Sequence, residues 1–144
     1  MRTILSVLFV FSSIAAFSQV SFMGYLVDEE EKGIKDVTVN LYCANERVSS
    51  QNWSKKFEYD LQLEKYYTLE LVKEGFETKR IAISTFEGDK GAEPFQFMME
   101  LVKARHGDEE DDFPSALIEY KKNEGAFNFD VKYAKDAKKN SKKD

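Results

Sequence analysis

The sequence predicts an all-β protein: a seven-strand-type antiparallel β-sandwich with an appended C-terminal β-hairpin and a charged tail. Three observations carry this. Apolar residues recur at every second position in segment after segment, the period of a strand with one buried and one wet face. Polar, turn-forming breaks separate these segments after a few residues each. Apolar residues make up 42% of the 144 and aromatic residues 14%, which suits one well-filled core and one domain.

The first segment reads as an address. Arg2 is followed by an almost wholly apolar run, residues 4–16, and then by Ala16, Phe17 and Ser18. Small residues therefore stand at −3 and −1 of a cut before Gln19, the pattern of a secretory signal peptide. The apolar run is about 14 residues, short of the roughly 20 a membrane span needs. Residues 1–18 are expected to be removed, leaving an exported chain, 19–144. Losing Arg2 leaves 20 basic residues against 26 acidic, an acidic protein with no expected nucleic-acid partner.

The strands follow in order. Val20 and Phe22 open the first, which continues less regularly through Tyr25, Leu26 and Val27. Val37, Val39, Leu41 and Cys43 form the second. Residues 48–53 are weak and polar, as an edge strand would be. Phe57, Tyr59, Leu61 and Leu63 form the fourth, Tyr67, Leu69 and Leu71 the fifth, Ile81 and Ile83 the sixth, and Phe95, Phe97, Met99 and Leu101 the seventh. Residues 19–103 make up the sandwich. A charged linker, 104–114, follows, with five consecutive acids at 108–112. Ala116, Ile118 and Tyr120, then a turn at 123–125, then Phe127, Phe129, Val131 and Tyr133 predict a hairpin over 115–134. Such a hairpin is too small to stand alone and is expected to pack on the sandwich. Residues 135–144 are a Lys-rich tail, expected to be a frayed helix or a disordered end.

A family resemblance rests on residues 22–28 (FMGYLVD) and 33–41 (GIKDVTVNL), then on 57–61 (FEYDL), 67–71 (YTLEL) and the Gly-aromatic turn of 74–79 (EGFETK). These resemble the carboxypeptidase regulatory-like domains, over about residues 22–101. The resemblance implies a transthyretin-like (prealbumin-like) sandwich acting as a non-catalytic companion in exported and cell-surface proteins, and hence a periplasmic or extracellular location. It departs from the family at residues 54–56 (SKK), where a Thr-Asp-x-x-Gly turn is usual, and it lacks the Pro usually found after the first Gly turn.

Candidate chemistry is sparse, and no catalytic signature is present. His106 is the single His and Cys43 the single Cys. A zinc site needs three or four such ligands, and no cofactor is expected. His106 stands in a hydrophilic linker, the wrong setting for a Ser–His–Asp or Cys–His site. Cys43 continues an apolar alternation and is expected to face the core as a small hydrophobe. The acidic run 108–112 has the carboxylates calcium prefers but lacks the spacing of an EF-hand loop, so it reads as a solvated linker. Residues 28–31 (DEEE) read as a turn. The tail residues Lys135, Lys138, Lys139, Lys142 and Lys143 allow at most peripheral contact with anionic head groups. Trp53, the single Trp, either closes one end of the core or anchors a partner.

The expected function is a non-catalytic protein-binding or envelope-assembly module whose partner is an envelope or cell-surface protein. Its expected partner-binding edge comprises Val48, Ser50 and Trp53, because an edge strand offers unpaired N–H and C=O groups to a partner strand. The alternatives are a carboxylate-based hydrolase and a small-ligand carrier. The former requires a concave acid cluster and the latter an apolar pocket.

Overall fold

The computed structural model describes residues 18–88, 91–106 and 113–140. The expected signal peptide (apart from Ser18), the acidic run 108–112, and Lys142 and Lys143 lie outside them. Nine strands and one helix follow in order: β1 (Gln19–Val27), β2 (Val37–Cys43), β3 (Glu46–Trp53), β4 (Lys56–Gln62), β5 (Tyr66–Val72), β6 (Lys79–Ser84), β7 (Phe95–Glu100), β8 (Ala116–Lys121), β9 (Ala126–Phe129) and α1 (Val131–Asn140). They form two sheets, one of three strands in the order β4-β1-β7 and one of six in the order β3-β2-β5-β6-β8-β9.

The alternation read from the sequence sets which face is buried. Val37, Val39 and Leu41 of β2 point inward, as do Tyr67, Leu69 and Leu71 of β5 and Ile81 and Ile83 of β6. Phe22 and Leu26 of β1 and Phe57 and Leu61 of β4 meet them from the smaller sheet, and all four are 2% exposed or less. Gly24 is the one inward position of β1 without a side chain. The Phe57 ring on the neighbouring strand fills that space, and a Cβ on Gly24 would lie 2.3 Å from its Cζ.

Most pairings are antiparallel, but each sheet contains one parallel pair, β1 with β7 and β6 with β8. The sheets are therefore mixed, where the sequence reading expected purely antiparallel ones. Period-two alternation is the same in both directions, so strand direction is invisible to it. The chain crosses from β6 to the smaller sheet for β7, then returns to the larger for β8. The hairpin thus continues the six-stranded sheet and does not merely lie against the sandwich. It buries Ile118 and Phe127 in the common core. Phe127 meets Phe22 edge-on at 5.1 Å, and Phe129 meets Phe95 and Phe97 at 5.9 Å each.

A second difference concerns Val131 and Tyr133, expected in the hairpin. Both lie in α1, because the strand ends at Phe129 and Asp130 caps a helix. The Asp130 carboxylate accepts the backbone N–H groups of Lys132 and Tyr133 at 2.9 and 3.0 Å, a helix N-cap. Four alternating positions can be read as a strand, but the cap starts a helix after the second. The Tyr133 hydroxyl then donates to the Pro114 carbonyl at 3.0 Å, tying the first turn of α1 to the chain entering β8.

Candidate functional site

The expected edge is β3, an end strand of the larger sheet, paired among the described residues with β2 alone. The turn that delivers it holds Ala44 and Asn45 at φ 48° and 68°. Two successive positive φ values are the signature of a type I′ hairpin turn, whose twist matches that of the strands. The register then slips by one residue. Leu41 faces Ser49 and Tyr42 faces Arg47, so Val48 is the extra residue of a β-bulge. Val48 is 57% exposed. Beyond the bulge, residues 49–53 pair in unbroken register with 37–41.

The two other predicted edge residues have different environments. The Ser50 hydroxyl points to the outer face and donates to Asn40 Oδ1 at 2.7 Å. Trp53 faces the sandwich and is half-buried against the core. Its ring meets Tyr59 edge-on at 6.0 Å, and its Nε1 donates to the Tyr59 hydroxyl at 3.4 Å. Trp53 thus closes the gap between the two sheets at this edge. The structure places Val48, Ser50 and Trp53 on one strand but on different sides of it, so they present no common side-chain patch. What they share is the strand's outer backbone edge.

The Ser50–Asn40 bond is the first step of a transverse ladder that the sequence reading missed. Asn40 Nδ2 donates to Glu70 Oε1 at 3.0 Å, and Arg80 donates to Glu70 Oε2 through Nε and Nη2, both at 2.9 Å. The four residues stand directly opposite one another on β3, β2, β5 and β6. Asn40 is 8% exposed, and the Glu70 and Arg80 side chains 17% each. The signal in the sequence was Asn40, a polar residue between Val39 and Leu41, but its partners lie 10, 30 and 40 positions away along the chain.

The remaining candidates are dispersed. His106 is exposed in a turn. Cys43 is half-buried against the core. In the 28–31 turn, the Asp28 carboxylate accepts the backbone N–H groups of Lys32 and Glu30, which hold it below its usual range, with the Lys32 bond the larger cause. Among the described residues, no three His, Cys, Asp or Glu side chains come together as a metal site would require. Lys135, Lys138 and Lys139 lie on α1, which packs against β8. A shallow cleft of about 340 Å³ lies between the hairpin turn and residues 91–93, lined by Glu93, Tyr120, Glu124 and small residues. No described helix is long and apolar enough to cross a membrane.

No family model matches the chain, and no curated protein matches it. Solved structures similar to it include S.CueP, at 14% identity and a TM-score of 0.46 over 58% of this chain and 62% of that one. Catechol 1,2-dioxygenase of Acinetobacter radioresistens is 12% identical, with a TM-score of 0.46 over 68% of this chain and 56% of that one. The mercury-inhibited catechol 1,2-dioxygenase of Acinetobacter sp. ADP1 is also 12% identical, with a TM-score of 0.45 over 72% and 59%. The chain spans about three fifths of the length of these proteins. The described residues form a β-sandwich of two mixed sheets with one helix.

Proposed function

We propose that this protein is a non-catalytic, exported β-sandwich module that binds an envelope or cell-surface protein by accepting a strand at the β3 edge. The observation that carries the reading is the position of β3. It is an eight-residue strand paired on one side only among the described residues, with Trp53 closing the core behind it. A strand edge of this length offers backbone donors and acceptors to an extended partner segment. The bulge at Val48 confines regular pairing to residues 49–53 and so limits indiscriminate edge-to-edge association. Export follows from the signal-peptide pattern of residues 1–18, and β1 begins at Gln19, directly after the expected cut. The resemblance to carboxypeptidase regulatory-like domains supports the same companion role.

The test is site-specific photocrosslinking in the native envelope. A photoreactive residue replaces Val48 on the edge or Met98, which is 60% exposed on the outer face of the smaller sheet. The expected result is a discrete protein adduct from position 48 and none from position 98. Adducts from 98 alone, or from neither position, would remove the edge reading.

A further inference from the structure

β1 is the central strand of the three-stranded sheet, with β4 on one side and β7 on the other. It begins at Gln19, the residue that the expected cut makes the first of the exported chain. Val20 and Phe22, the first two inward positions, are 2% and 0% exposed and belong to the common core. The exported chain therefore has no spare residues ahead of its structure. Chain ends are where proteolysis concentrates, and trimming as far as Phe22 would take both side chains out of the core.

The ladder leaves this terminus open to chemistry. The Leu63 N–H donates to the Ser18 carbonyl at 3.0 Å, so Ser18 and Leu63 form a hydrogen-bonded pair at the end of the β1–β4 ladder. In an antiparallel ladder such pairs alternate with pairs whose backbone groups point away from each other. Gln19, opposite Gln62, belongs to the second kind, and its nitrogen points away from β4. On its other side, β1 pairs with β7 only from Phe22 and Phe95 onward. The Gln19 side chain is exposed. Cleavage after Ser18 turns the Gln19 nitrogen into an α-amine outside the β1–β4 ladder. Its own side-chain amide carbon is then at the separation that closes a five-membered ring.

We propose that Gln19 is a modification site: after export its α-amine closes on its own side chain to give an N-terminal pyroglutamate. The neutral amine attacks Cδ and the N–Cδ bond forms. The Cδ–Nε2 bond breaks, and the departing nitrogen takes the proton that the amine gives up and leaves as ammonia. No oxidant, reductant or cofactor enters. A free α-amine has a pKa of about 8, so about a tenth of it is neutral and nucleophilic near pH 7. The product lactam keeps one N–H, carries no charge and has no primary amine. Aminopeptidases act on a primary α-amine, so the ring shields a terminus whose first residue already belongs to the central strand. The modification rests on the export cut of the proposed function and is independent of the β3 edge.

The experiment is intact-mass spectrometry of the protein, expressed at full length and recovered from the native envelope under cold, neutral conditions. The expected mass is that of residues 19–144 less one ammonia. Pyroglutamyl aminopeptidase should then remove the first residue and open the chain to stepwise sequencing from Val20. Gln19→Asn, whose shorter side chain would close only a strained four-membered ring, should show its full mass and a free amine. A parent chain that begins with an open Gln19 would overturn the modification and leave the export reading standing. A chain that begins at any other residue would overturn both. Loss of ammonia from Gln19→Asn as well would place the reaction elsewhere in the chain and overturn the assignment to Gln19.

Discussion

Thr85 is a fully buried polar residue that joins three segments. Its hydroxyl has the Gln62 and Lys65 carbonyls in reach at 2.8 and 2.9 Å and accepts the Lys65 N–H at 2.9 Å. It pins the β4–β5 turn to the end of β6. Thr85→Val keeps the shape but orphans these buried groups, so a loss of about 1–3 kcal/mol is expected in chemical denaturation. Thr85→Ser should retain most of the stability. Lys55 stores strain in the opposite sense. It adopts φ 68° in the β3–β4 turn, where its N–H donates to the Ile34 carbonyl and its carbonyl accepts the Leu26 N–H. The left-handed region costs a non-Gly residue about 1–2 kcal/mol. Lys55→Gly removes that strain but frees the unfolded chain. A net gain of about 0.5–1 kcal/mol is expected, read as a higher melting temperature. The sequence places SKK at this corner and so hides the turn, because glycine is the residue that announces a positive φ.

At the level of elements, α1 depends on its cap. Asp130 is held below its ordinary value of 3.8, chiefly by the backbone N–H of Tyr133. A carboxyl depressed in the folded state adds stability above pH 3.8 and loses it as the pH falls through the folded value. Helix content at 222 nm should therefore drop in acid below about pH 4 in the parent protein. Asp130→Asn, which caps without a charge, should lack that step. Asp130→Ala should weaken the helix by about 1 kcal/mol at every pH. The residues that start α1 were legible in the sequence as an Asp before a Lys-rich segment. Their reading as a strand shows that a short alternation does not outweigh a cap.

At the level of the whole molecule, the C-terminal hairpin decides whether the sandwich holds together. A chain ending at Lys103 loses β8 and β9, with Ile118 and Phe127 from the common core. It also uncovers β6, leaving an unpaired strand edge over an open core. Such a chain is expected to show collapsed amide dispersion in a nitrogen–proton correlation spectrum. A well-dispersed spectrum would mean that 19–103 is a domain by itself.

The sequence alone determined the number and order of the strands, their buried faces, and the polar strand that became an edge. These are local properties, set by which side chains alternate and where turn-forming residues interrupt them. Only the tertiary structure decided strand direction, the crossing of β7 between sheets, the hairpin's place inside the larger sheet, and the ladder from Ser50 to Arg80. Each joins residues far apart in the chain. The reason is physical: alternation reports which side of a strand avoids water, whereas pairing is decided by which distant strand best completes a shared core.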